Sequence, residues 1–145
     1  MMATIIGTRR KAREATLQFL FQEDFQKEKF APEELPGRFT RFCDHFEIGT
    51  AARQYALYLA GQYLAQAERV DALIDQAAAN WRLSRIAAVD RNLLRLAVCE
   101  MLAQSAPDQV VINEAVDIAR RFADLDSPSF VNGVLDAVRV ALRAD

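Results

Sequence analysis

Arg9, Arg10, Lys11 and Arg13 crowd four cations into the stretch from Thr8 to Arg13, which holds no acid. On a helix, Arg9 and Arg13 stand one turn apart on the same side, with Arg10 beside them. A guanidinium binds phosphate as a bidentate fork and also stacks on bases, so this small surface can seat a few nucleotides. Cations at a helix N-terminus oppose the macrodipole, which argues against a purely stabilising role. The competing reading is a solvated charged face in which Arg10 pairs with Glu14 at i,i+4, and these residues alone leave both open. A second basic point, Arg120-Arg121 followed by Phe122, offers cations and a ring of the kind that meets single-stranded RNA. An ordinary helix end would use the same arginines to favour its dipole.

The rest of the chain offers little for catalysis. Its single histidine, His45, sits beside Asp44 in a phenylalanine-rich stretch and reads as a surface or edge residue. There is no Gly-rich phosphate loop, no Gly-x-Ser-x-Gly elbow and no ligand cluster with metal spacing. Cys43 and Cys99 lie far apart, each in an apolar helical pattern, and read as buried free thiols. No catalytic residue, metal or cofactor is expected, and the chain does not read as an enzyme. The net charge of −2 hides an asymmetry, because acids gather later, at Glu23-Asp24, Glu33-Glu34, Asp44 to Glu47 and Asp124 to Asp126. A weakly acidic chain still binds nucleic acid when its cations are grouped.

The elements that must position these residues are helical. At 145 residues, with 52% hydrophobic and 26% charged, the chain is one ordinary domain able to bury a core. Five Gly and four Pro among abundant Ala, Leu, Arg, Gln and Glu point to an all-α fold. No apolar run approaches the roughly 20 residues that span a bilayer. No signal-peptide stretch precedes the basic cluster, so a cytoplasmic address is expected.

The apolar spacing predicts a helix from about Arg9 to Lys29, with Thr8 as its N-cap and residues 1–7 as a flexible tail. Phe39, Phe42 and Phe46 recur at helical spacing. Further helices are predicted over Thr50–Gln66, over Glu68–Asn80 with Asn80-Trp81 closing it, and over the very apolar Ser84–Leu102. Asp108 offers a cap for Val110–Phe122, and Ser127 with Pro128 behind it starts a last helix to about Arg143. About six or seven helices are expected in a single domain over residues 1–145, as two small bundles packed together. Two features exceed what packing requires: Asn113 beside Glu114, and Asn132-Gly133 inside the apolar run Phe130–Asp136. Glycine in a helix costs about 1 kcal/mol relative to alanine, usually offset by close approach of a backbone or a partner. Phe130 itself reads as a core anchor or as a contact for another chain.

These pieces, in this order and over nearly the whole chain, resemble the NusB family of bacterial transcription antitermination proteins. The matching motifs are Arg9-Arg10-Lys11-Ala12-Arg13-Glu14 with Leu17-Gln18-x-Leu20-Phe21, then Asp90-Arg91-Asn92-Leu93-Leu94-Arg95-Leu96-Ala97. Ile112-Asn113-Glu114-Ala115-Val116 and Phe130-Val131-Asn132-Gly133-Val134-Leu135-Asp136 complete the set. The resemblance implies two three-helix bundles and binding to boxA, a short single-stranded element of nascent transcripts such as ribosomal RNA leaders. It also implies a heterodimer with NusE, a small-subunit ribosomal protein, and a place beside NusA and NusG in an RNA polymerase antitermination complex.

Carried over residue by residue, the resemblance puts Arg9, Arg10, Lys11 and Arg13 at the RNA, with Gln18 and Phe21 as further contacts on the same helix. Arg120, Phe122 and Asp126 fall in the family's second RNA-facing region, and Asp90 and Phe130 match positions at the NusE interface. Family members commonly read Asp-Ser-His-Lys-Phe where Asp126-Ser127-Pro128-Ser129-Phe130 stands, and often Phe-Gly where Phe122-Ala123 stands. The missing basic side chains imply RNA binding that leans on NusE. The alanine argues against a left-handed backbone at 123. Members occur as monomers or dimers, so a homodimer is open. Two other readings stand beside this one: the helical RNA-binding module of an rRNA cytosine methyltransferase, which needs a far longer chain, and a purely protein-binding helical module with solvated arginines.

Overall fold

The computed structural model describes residues 2–26, 30–78, 80 and 82–144, of which 2–6 as backbone alone. Among the described residues the fold is all-α, with no strand. Its helices are α1 (Met2–Asp24), α2 (Leu35–Cys43), α3 (Thr50–Ala77), α4 (Ala88–Ala103), α5 (Asp108–Phe122) and α6 (Ser127–Arg143). Short 3-10 turns occupy Pro32–Glu34 and Leu83–Arg85. The chain divides into two compact units, residues 1–65 and 66–145. At that boundary the helical geometry of α3 breaks, with Gln66 at φ −128° and ψ 24°. The break at Gln66 separates two helical stretches at the place where the sequence predicts one helix to end and the next to begin.

In the first unit α1 starts earlier than its sequence pattern suggests. Thr8 is not its cap, and the expected tail of residues 1–7 is helical from Met2 on. No proline interrupts Met2–Gly7, and extending an existing helix costs far less than starting one. At its other end α1 stops at Asp24, short of the expected Lys29, and residues 27–29 lie outside the described residues. Small residues let α1 and α3 approach: Ala12, Ala15, Ala56 and Ala60 are all fully buried. The Thr16 hydroxyl donates to the Ala12 carbonyl (2.8 Å) and reaches the Ala56 carbonyl of α3 (3.4 Å). Phe19 meets Phe39 and Phe42 of α2 edge-on, with centroids 5.2 and 5.5 Å apart, and Phe46 stacks on Phe42 at 5.2 Å. Burying each such side chain contributes roughly 1.5–3 kcal/mol. Arg38 then ties α2 to α1 through Glu23 (3.2 Å).

In the second unit α4 is the central helix, as its all-round apolarity predicts. Leu93, Leu94, Leu96, Ala97, Val98, Cys99 and Met101 are buried, against Val111, Ile112, Ala115 and Ile118 of α5 and Val131, Val134, Leu135 and Val138 of α6. The polar residues of the Asp90–Arg95 motif brace this core. Arg91 donates to the Ile86 carbonyl (2.7 Å), and Asn92 to the Ala88 carbonyl (2.9 Å). Arg95 forks onto Asp71 at 3.0 and 3.2 Å. Gln104 ends α4 in the left-handed conformation, φ 54°, with its N–H on the Glu100 carbonyl. Asp108 is the first residue of α5 rather than its cap, and it holds Arg143 from the end of α6 at 2.7 and 2.8 Å. The same guanidinium donates to the Met101 carbonyl (3.0 Å), so one side chain clasps α4, α5 and α6. Both cysteines are free and buried, and burial pushes the Cys99 thiol up to about 12.

Candidate nucleic-acid interface

The cationic stretch lies well inside α1, so the terminal dipole that bore on its reading has faded, because such effects fall off within the first turn. At about 100° per residue, Lys11 points roughly 200° around the helix from Arg9, whereas Arg9, Arg10 and Arg13 span one side. Lys11 is exposed and shares its side with the half-buried Gln18. The expected cluster is thus split between two faces. Phe21 is half-buried and meets the exposed Phe25 edge-on at 5.0 Å.

Arg13 departs from expectation most. It is 4% exposed, and α1 is buried around its whole circumference from Ala12 to Leu17. Its guanidinium is therefore part of the packed interior and not an open phosphate contact.

Arg9 is the best-defined cation of the site. Its guanidinium lies over the Tyr55 ring, 4.2 Å from the centroid, and its Nη1 donates to the Tyr55 hydroxyl (3.3 Å). Tyr58, one turn along α3, lies nearly parallel to Tyr55, with centroids 5.9 Å apart and planes 24° apart. Sequence reasoning missed both tyrosines as site residues. Helical spacing does not set the pair apart, because Tyr55 lies only about 60° from Ala52 and 40° from Leu59 around α3.

In the second unit, an open groove of about 950 Å³ runs between α5 and the start of α6. Asn113, Asp117, Arg120 and Asn132 line it together with Asp124, Leu125 and Pro128. The asparagines singled out in the sequence thus face a concave surface instead of the core. Arg120 is paired with Asp117 at 2.7 Å, and with Asp124 the groove carries two carboxylates against this one cation. Phe122 is 42% exposed, with the Arg121 guanidinium 5.3 Å from its ring centroid, and Leu125 is 99% exposed. Asp126 is exposed at the N-cap of α6. Ala123 is extended (φ −123°, ψ −177°), so no left-handed residue is needed there. Gly133 faces open space, with nothing within 4 Å of a built Cβ, so no close approach inside this chain explains it.

Asp90 is not a surface residue. It is 7% exposed, its Oδ2 accepts the Ser127 hydroxyl (3.0 Å), and its Oδ1 is buried without a hydrogen bond. Ser127 is therefore the first residue of α6 with its hydroxyl turned inward, not a cap. Burial pushes the Asp90 carboxyl above its ordinary range, Ser127 pulls it back, and the Asp124 charge adds to the rise. Phe130, at the end of the first turn of α6, is half-buried. Among the described residues no group of three or more His, Cys, Asp or Glu is placed to hold a metal. Among the same residues no helix is long and apolar enough to cross a membrane.

The NusB family profile matches residues 10–139. The transcription antitermination protein NusB of Desulfotalea psychrophila is 53% identical over 136 residues, covering 92% of this chain and 96% of that one. Among solved structures, T. maritima NusB superposes with a TM-score of 0.78 at 32% identity, over 90% of this chain and 89% of that one. A crystal structure of antitermination factors NusB and NusE in complex with dsRNA gives 0.79 at 29% identity, over 92% and 97%. Likeness of this extent, in sequence and in fold together, makes the chain a member of the NusB family.

Proposed function

We propose that this chain is a non-enzymatic RNA-binding adaptor of transcription antitermination. It binds boxA in nascent ribosomal transcripts as a heterodimer with NusE and helps to assemble the RNA polymerase complex with NusA and NusG. The observation that carries the reading is Arg9, oriented on Tyr55 beside Arg10, which presents a fixed cation next to an aromatic surface. Phosphate contacts give affinity and register, and stacking with base-edge hydrogen bonds gives preference for unpaired bases. The family relatives and the NusB–NusE–dsRNA neighbour support the same assignment.

Within this reading Arg9 and Arg10 meet the backbone of the strand, Phe21 continues their side of α1, and Lys11 and Gln18 extend the contact from the other side. Phe122 and Asp126, outside the lining of the α5–α6 groove, add secondary contacts, whereas Arg120, which lines that groove and pairs with Asp117, is left to the partner seated there. The balance of charge in the groove favours a protein there over a polyanion, so NusE is assigned to it, with Phe130 beside it. Asp90 serves that interface from within by holding Ser127 and with it the start of α6.

The test is fluorescence anisotropy of labelled boxA RNA titrated with the protein, with and without NusE, at two salt concentrations. Affinity that rises with NusE, falls with salt and vanishes for a scrambled RNA is the expected result. Equal binding to both RNAs would reduce the site to a basic patch, and no binding under any condition would leave a protein-only module.

A further inference from the structure

We infer that Tyr58 is a base-stacking platform: with Arg9 and Tyr55 it forms a ladder that seats one unpaired base of the bound RNA. The inference rests on the proposed RNA-binding function and adds a residue to it. Six large apolar or aromatic side chains are conspicuously exposed among the described residues. Tyr58, at 44%, is the one whose ring lies alongside a second ring that already carries a guanidinium.

Each part has a function in such a contact. Every base presents a π-face, so a tyrosine held nearly parallel to its neighbour accepts any base without demanding a particular sequence. Arg9 lies over Tyr55 and is held by its hydroxyl, so a cation for the adjoining phosphate is set in place before RNA arrives. Both rings stand on one regular helix, which fixes their spacing and lowers the ordering cost of binding. For stability alone, an exposed aromatic on α3 has little to recommend it over alanine or leucine, which have higher helix propensity.

The occupant is a single-stranded base because the exposed ring adjoins a guanidinium already seated on Tyr55, and a base stacked on the ring carries the phosphate that such a cation meets. A peptide partner on the same ring is the alternative that the experiment separates.

The experiment uses the full chain with NusE and a fluorescein-labelled boxA RNA, comparing wild type with Tyr58→Ala and Tyr58→Phe. Tyr58→Ala should weaken RNA binding about tenfold, the loss of roughly one stacked base. The slope of log affinity against log salt should not change, since a neutral ring releases no counterions. Tyr58→Phe should restore affinity. 2-Aminopurine placed at successive positions should be quenched at one position in wild type and recover in Tyr58→Ala. An unchanged melting temperature in Tyr58→Ala excludes a folding defect. If wild type binds RNA and Tyr58→Ala binds equally well, the platform is overturned while the RNA reading stands. If Tyr58→Ala loses NusE but keeps its affinity for RNA alone, the ring belongs to a protein contact and the inference fails. If wild type binds no RNA, the parent reading fails and the platform with it.

Discussion

A guanidinium laid on an aromatic ring is fixed in position, and at the half-buried Arg9 it reaches the surface while that of Arg13 is buried, which separates the two in function. Arg9→Ala should weaken RNA binding and lower the salt slope by about 1, and lysine should recover the charge but not the stacked geometry. Arg13→Ala should act on the fold instead, lowering stability by about 1–3 kcal/mol in a urea titration, because it removes a buried hydrogen-bonding group. Residue type was legible in the sequence at both positions. Exposure was not, because it depends on how closely neighbours approach α1, and the alanines that permit that approach do not announce it. The same limit applies to Asp90, whose motif was visible but whose hydrogen bond to Ser127 joins residues 37 apart in sequence. Its carboxyl is raised by burial, so the ionised form costs stability at neutral pH and the cost fades as pH falls through its folded value. Asp90→Asn should therefore raise the urea midpoint at pH 7 and change it little in acid.

At the scale of elements, helix ends decide where the sequence pattern succeeds. The periodicity that predicts α5 and α6 survives because one side of each meets α4, whereas Thr8 failed as a boundary because a capping residue is only an option that a longer helix can override. Gln104 closes α4 in a conformation that costs an L-residue, so Gln104→Gly should stabilise the protein by about 0.5–1 kcal/mol, measured by chemical denaturation. Gly133→Ala should stabilise α6 by about 0.5–1 kcal/mol, since its new methyl meets nothing in this chain. Loss of NusE affinity in that variant would mark the glycine as a place where a partner's backbone comes close. The Asp108 carboxyl is held below its ordinary value chiefly by hydrogen bonds from Arg143, so the clasp stabilises above the usual carboxylate range and is lost as pH falls through the folded value. Arg143→Ala should lower the urea midpoint at pH 7, and the difference from wild type should shrink as pH falls below the usual carboxylate range.

For the whole molecule, composition correctly excluded strands and marked α4 as a central helix, and the break near Gln66 was visible as a change in the apolar stripe. Net charge was a poor guide to binding, because −2 averages a cation-bearing α1 with acids elsewhere. What no pattern revealed was the tyrosine pair, since a half-exposed ring and a core ring look alike at helical spacing. Both units are continuous in sequence, and this bears on the order of events at the ribosome. The first unit, with Arg9, Tyr55 and Tyr58, is translated in full before α4 is made, so its packing can begin while synthesis continues. The second unit cannot close its clasp until Arg143, in the last turn of α6, has emerged. A nascent chain stalled before that residue would hold a completed first unit and a second one whose three helices still lack their clasp.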